Sequence, residues 1–188
     1  TIYYINKLKR ELSAVAPNTR LLQGETGCPA ILEYGHALNG FEWDEYRQAK
    51  WDLRSMFVHW GMGNPYSVFT MTDLNYGWMI QSFGLIRCNL RGEPVYLRPK
   101  FHAVQNVTSL ITGDIHPTDA VSVESSCGRE IHCVGLEKDG KVIGCALWFG
   151  DRIPDSSLER EEISLKINGL DLVKRNLVYV DMLSGNVH

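Results

Sequence analysis

Apolar residues in this chain recur every third or fourth position as far as Leu110 and every second position from about Thr118 onward, and that change of period limits what it can fold into. The first stretch reads as helices and the second as strands. Ile5, Leu8, Leu12 and Val15, separated by Lys7, Lys9, Arg10 and Glu11, predict an amphipathic helix over 2–15 that Pro17 and Asn18 end. Asn39, Gly40, Phe41 and Glu42 have the spacing of a capping box. Trp43, Tyr46, Leu53, Met56, Phe57 and Trp60 then predict a long helix from near Glu42 to Gly61, with those six side chains inward. Pro99 suits a first helical turn, and Phe101, Val104, Val107 and Leu110 continue it.

Between the helices, Leu21–Leu22 and the aromatic and β-branched run 66–73 read as strands, with a long loop over 28–40. Beyond Thr118 the alternating positions are Val121 and Val123; Ile131 and Cys133; Ile143, Cys145 and Leu147; Ile163, Leu165 and Ile167; Val178, Val180 and Met182. Asp139-Gly140 is a hairpin signal. The expected order is α-β-α-β-α and then four to six antiparallel strands, dividing into units 1–113 and 114–188. Alternating strands and helices predict a parallel sheet, and a segregated run of strands predicts a small sandwich.

Charge and composition exclude several function classes. A formal net charge of −3, a pI near 6.1 and no basic run leave no electrostatic footprint for nucleic acid or an anionic membrane, so neither is an expected partner. No apolar run reaches the roughly 18 residues of a membrane span. The start Thr1-Ile2-Tyr3-Tyr4 has no signal-peptide pattern and no initiator Met, which predicts a processed chain or a piece of a longer one. The five cysteines never fall in a C-x-x-C spacing, and His59, His102, His116, His132 and His188 show no metal-binding spacing, so neither a metal nor another cofactor is expected. Gly61-Met62-Gly63 lacks the lysine of a phosphate loop, and no serine has a G-x-S-x-G setting.

The chemistry-bearing feature is the stretch 20–27, an apolar strand ending on Glu25, which lies between Gly24 and Gly27. A carboxylate at the mouth of a strand is costly unless it is used. Gln23-Gly24-Glu25-Thr26-Gly27 resembles the end of strand seven in the large (β/α)8-barrel clan of retaining glycoside hydrolases, where the position carries the nucleophilic glutamate; the resemblance therefore implies that role for Glu25. The run 66–73 is similar to strand eight, and 96–106 to the start of the last barrel helix. The fold so implied is α/β followed by all-β: the last βα units of a (β/α)8 barrel with a small C-terminal antiparallel β-sandwich.

A barrel needs about 250 residues, and about two βα units precede the sandwich region here. Strands one to six would be missing, with the Asn-Glu pair that supplies the clan's acid/base. Retaining hydrolysis uses two carboxyl groups about 5–5.5 Å apart, one attacking the anomeric carbon and one protonating the leaving oxygen. The resemblance thus implies a fragment or subunit of a retaining β-glycosidase, inactive by itself, with a second chain or a missing N-terminal part completing the barrel.

The remaining candidates are substrate contacts, with carbohydrate the expected ligand. Asp73 and Asn75 could bond sugar hydroxyls, although capping or bracing a loop explains Asp73 as well. Tyr76 and Trp78 have the flat apolar faces that stack on a pyranose. Glu33 and His36 lie in the long loop after the Glu25 strand, where they would reach a substrate rim. Trp43, Trp51, Trp60 and Trp148 read as core. Two other readings stay open: a non-catalytic carbohydrate-binding or accessory module, and an assembly piece whose open sheet edge pairs with another chain.

Overall fold

A computed structural model describes residues 2–30, 43–170 and 177–188. In chain order its elements are α1 (Ile2–Val15), β1 (Gln23–Thr26), α2 (Glu45–Gly61), β2 (Tyr66–Val68), β3 (Leu74–Asn75), β4 (Ile80–Gln81), β5 (Ile86–Cys88), β6 (Pro94–Leu97), α3 (Pro99–Leu110), β7 (Ile115–Thr118), β8 (Ser122–Ser125), β9 (Ile131–Lys138), β10 (Lys141–Phe149) and β11 (Leu165–Asn168).

This architecture overturns the expected α/β barrel units followed by a sandwich. The described fold has three helices and many short strands in small, mostly antiparallel sheets: β10-β9-β7, β11-β8, β3-β4 and β5-β6, with β1-β2 the one parallel pair. The physical reason lies after Val68. The predicted strand 66–73 ends as β2 at Val68, and the backbone that follows runs parallel to 83–86, the approach to the β5–β6 hairpin and not a strand that follows a helix: Thr70 N donates to Phe83 O, Leu85 N to Thr70 O and Ile86 N to Met71 O. Two hairpins, β3-β4 and β5-β6, then fill the space before α3. Beyond α3, one three-stranded and one two-stranded sheet stand where a sandwich was expected.

The local signals that depend on adjacent residues fare better. The helix expected over 2–15 has those bounds, and Asp139 and Gly140 take the left-handed φ values of 51° and 70° that a tight β9–β10 hairpin requires. The capping box at 39–42 lies outside the described residues; α2 is capped by Asp44, whose carboxylate accepts from Arg47 N at 2.8 Å.

The faces of α2 and α3 differ most from expectation. On α2 the buried residues are Gln48, Ala49, Asp52, Phe57 and His59, while Tyr46 is exposed; on α3 they are Lys100, Ala103 and Val107. The inward stripe of α3 is thus 100, 103 and 107, only the last of which belongs to the apolar series 101, 104, 107 and 110 that marks the helix in the sequence. α2 packs between α3 and the β9–β10 hairpin, stacking Phe57 on Trp148 with ring centroids 5.9 Å apart. Gly61 lets β9 approach, since a Cβ there would lie 2.7 Å from Val134 Cγ2.

Candidate functional site

Glu25 sits on β1 with its side chain exposed, and the backbone around it is held from several directions. Parallel pairing sets Gln23 beside Tyr66 and Thr26 beside Val68. Gln23 Nε2 donates to Glu25 O at 2.6 Å, and Phe69 N to Thr26 O at 3.2 Å. A Cβ on Gly27 would lie 2.8 Å from Phe69 O, so the residue after Thr26 must be glycine for the chain to pass. Cys28 is buried, and its carbonyl accepts from Gln48 Nε2 at 2.7 Å. The result is a carboxylate presented to solvent from a well-fixed strand end. Among the described residues no hydrogen bond or ion pair engages the Glu25 carboxylate.

Beneath this strand end lies a buried ionic clamp. Lys100, on the first turn of α3, donates through Nζ to Phe69 O at 2.9 Å and Phe83 O at 3.1 Å, and pairs with Asp52 Oδ2 at 2.8 Å. Tyr66 Oη donates to Asp52 Oδ1 at 3.2 Å. The Lys100 and Asp52 side chains are 0% and 1% exposed. Burial pushes the Asp52 carboxyl above its ordinary range, with Lys100 and Tyr66 pulling it back. The Cys28 thiol is pushed up by burial and then by Asp52, which leaves it a protonated, unreactive thiol.

Asp73 belongs to a second buried ion pair. Its Oδ1 accepts from Gly84 N at 3.0 Å and Arg98 Nη1 at 2.5 Å; its Oδ2 accepts from Cys88 N and Arg98 Nη2, each at 3.0 Å. Arg98 further donates through Nη1 to Gly84 O and through Nε to Glu45 Oε1, both at 2.9 Å, and Tyr96 Oη donates to the same Glu45 oxygen at 2.7 Å. Four donors from the protein itself occupy the Asp73 carboxylate. Gly84 is hemmed in as tightly, since a Cβ there would lie 2.4 Å from Asp73 N.

Asn75 braces the β3–β4 turn. Its side chain accepts from Gly77 N and donates to Leu90 O, both at 2.7 Å. That turn projects Tyr76, 53% exposed, and Trp78, 79% exposed. Beside it lies an open, largely apolar groove of about 710 Å³ between β4 and the β5–β6 hairpin, lined by Ile80, Arg87, Leu90, Arg91, Val95 and Tyr96 among others. Glu33 and His36 lie outside the described residues. No hydrogen bond or ion pair among the described residues joins Glu25 to Asp73, Asn75, Tyr76 or Trp78, and no trio of His, Cys, Asp or Glu side chains among them could hold a metal ion.

The polar residues that the sequence pattern missed are Asp52 with Lys100, and Arg98 with Glu45 and Tyr96. One signal was available. Arg98 and Lys100 flank the start of α3, where the helix dipole disfavours positive charge, so two cations there call for anionic partners. No protein-family model matches the sequence and no curated protein matches it, so the class of the site rests on its own chemistry.

Proposed function

We propose that the chain carries the nucleophile of a retaining β-glycosidase, with Glu25 attacking the anomeric carbon of an oligo- or polysaccharide and the acid/base carboxyl contributed from outside the described residues. The observation that carries this reading is the solvent-facing Glu25 carboxylate, without a partner among the described residues, at the end of a parallel strand whose backbone is fixed by β2, Gln48 and the Lys100 clamp. A nucleophile needs an oxygen free to approach carbon from a defined direction, and a fixed backbone supplies the direction. The resemblance of 23–27 to the strand-seven motif of retaining hydrolases supports the same role.

A leaving group as acidic as dinitrophenol departs without a proton, so the first step can be read without the acid/base. The chain, isolated together with any polypeptide that co-purifies, is incubated with 2,4-dinitrophenyl 2-deoxy-2-fluoro-β-glycosides of the gluco, galacto, manno and xylo series. The tryptic peptide containing Glu25 is expected to gain one fluoroglycosyl mass, and Glu25→Gln to gain none. An unlabelled peptide across all four sugars would remove Glu25 from the nucleophile role.

The exposed turn bearing Trp78 favours a second reading, a carbohydrate-binding module. Trp78→Ala is then expected to weaken retention on glycan by about two- to tenfold, the worth of one stacking contact, with the thermal midpoint unchanged. Under this reading Glu25 is a polar contact only, and Glu25→Gln alters glycan affinity. Equal retention of Trp78→Ala and the parent chain would dismiss it.

A further inference from the structure

β9 and β10 carry two thiols that the chemistry above does not use. Their register sets Leu147 opposite Cys133 and Gly135 opposite Cys145, so the cysteines are diagonal neighbours two positions apart. Side chains alternate along a strand, and both therefore lie on one face of the hairpin. The opposite face, with Val134 and Trp148, packs on α2. The cysteine face turns toward the segment before β8, where a Cβ on Gly135 would lie 2.7 Å from Thr118 O and 2.9 Å from Val121 Cγ2.

That close approach explains the glycine, and the glycine leaves Cys145 with no side chain directly across the ladder. Its same-face neighbour with reactive chemistry is Cys133. Both residues are half-buried, within reach of a small oxidant. The ladder also slips between Val142 and Gly144, one residue before Cys145, and a bulge is where a strand can shift to bring a diagonal pair to the Cβ separation of about 3.5–4.5 Å that a disulfide needs.

We propose that Cys133 and Cys145 form a redox-modification site, closing to an intrachain disulfide between β9 and β10 when a hydroperoxide reaches them. In the step, either sulfur as thiolate attacks peroxide oxygen; the O–O bond breaks, one oxygen leaves as water, and a sulfenic acid remains on that cysteine. The other sulfur then attacks the sulfenic sulfur, the S–O bond breaks, and the second oxygen leaves as water with the second thiol's proton. Two thiols lose two electrons and one hydrogen peroxide becomes two waters.

The test treats the purified, full-length chain with one equivalent of hydrogen peroxide, alkylates the remaining thiols and maps tryptic peptides. Lys138 and Lys141 lie between the two cysteines, so trypsin separates them unless they are linked. The expected product is the 130–138 peptide joined to the 142–152 peptide, about 2 Da lighter than the two thiols and restored by dithiothreitol, with Cys28, Cys88 and Cys127 still alkylated. Cys133→Ala and Cys145→Ala should each abolish the linked peptide and leave the remaining cysteine as a sulfenic acid that dimedone traps. Recovery of both peptides fully alkylated, or a link from either cysteine to Cys127, overturns the proposal; the parent-chain map decides this even where an alanine variant fails to fold.

Discussion

Arg98→Leu is expected to cost about 3–5 kcal/mol of folding stability, the typical consequence of removing one partner of a buried ion pair. That is a large part of the roughly 5–15 kcal/mol that holds a domain together. The Arg98 and Asp73 side chains are both 0% exposed, so water cannot replace the guanidinium. Without it, Asp73 retains only Gly84 N and Cys88 N as donors, and Gly84 O loses its own. Glu45 is less affected, because its carboxylate is partly exposed and keeps the Tyr96 hydroxyl. Arg98→Lys preserves the charge but not the planar fork that meets both Asp73 oxygens, and its loss should fall between parent and leucine variant. Glu25→Gln is the internal contrast: an exposed carboxylate without a partner among the described residues should move stability by no more than about 0.5 kcal/mol. Urea unfolding read by tryptophan fluorescence measures all three, and an Arg98→Leu midpoint equal to that of Glu25→Gln would show that the Asp73–Arg98 pair does not hold the hairpins to α3.

The contrast between Arg98 and Glu25 also marks what could be read along the chain and what could not. Spacing located α1 to the residue, because an amphipathic helix is a property of one contiguous stretch. Asp139-Gly140 located the β9–β10 hairpin, because left-handed φ values favour those residues locally. The strand before Glu25 was only partly legible: Leu21 and Leu22 suggested an apolar strand, whereas β1 begins at Gln23, Leu22 is 59% exposed and Glu25 faces solvent. The two ion pairs join Asp52 to Lys100 and Asp73 to Arg98, across 48 and 25 positions of sequence, and no window spans both partners. Read in isolation, charged residues on α2 and α3 belong outside, so the inward stripe of α2 was assigned to its apolar residues, and the apolar series that marks α3 shares only Val107 with that helix's inward stripe. Strand partners are equally non-local. The run 66–73 has β-forming residues throughout, and 70–73 do pair in parallel, but with 83–86 at the start of a hairpin and not with a strand that follows a helix. Asp73 shows the same limit at the site: its place after a strand suggested a contact for sugar hydroxyls, and Arg98, invisible to that argument, occupies it.

Lys100→Met is expected to cost a similar 3–5 kcal/mol or so, and to make stability depend on pH in a direction the parent chain does not share to the same degree. Nζ is the donor for Phe69 O and Phe83 O as well as the countercharge of Asp52. Burial already drives Asp52 above its ordinary pKa of 3.8, and Lys100 is the largest influence opposing that drive. With methionine in place, the folded chain binds the Asp52 proton more tightly than the unfolded chain does. Stability is then full below about pH 3.8, where both states are protonated at this residue, and declines as pH rises through the elevated folded value. Lys100→Met should therefore gain on the parent chain when the pH of a urea titration is lowered from 8 to 5. Adding Asp52→Asn removes the stranded charge and the pH slope with it, but leaves Phe69 O without a donor, at roughly 1–3 kcal/mol for an unsatisfied group, while Phe83 O keeps Thr70 N. The double variant should thus recover only part of the loss, with a coupling energy of about 0.5–3 kcal/mol between the two positions. Strict additivity would show that Asp52 and Lys100 do not act as a pair. Phe69 O is also the atom that closes over Gly27, so the same clamp that neutralises Asp52 sets how firmly the end of β1 holds Glu25 in place.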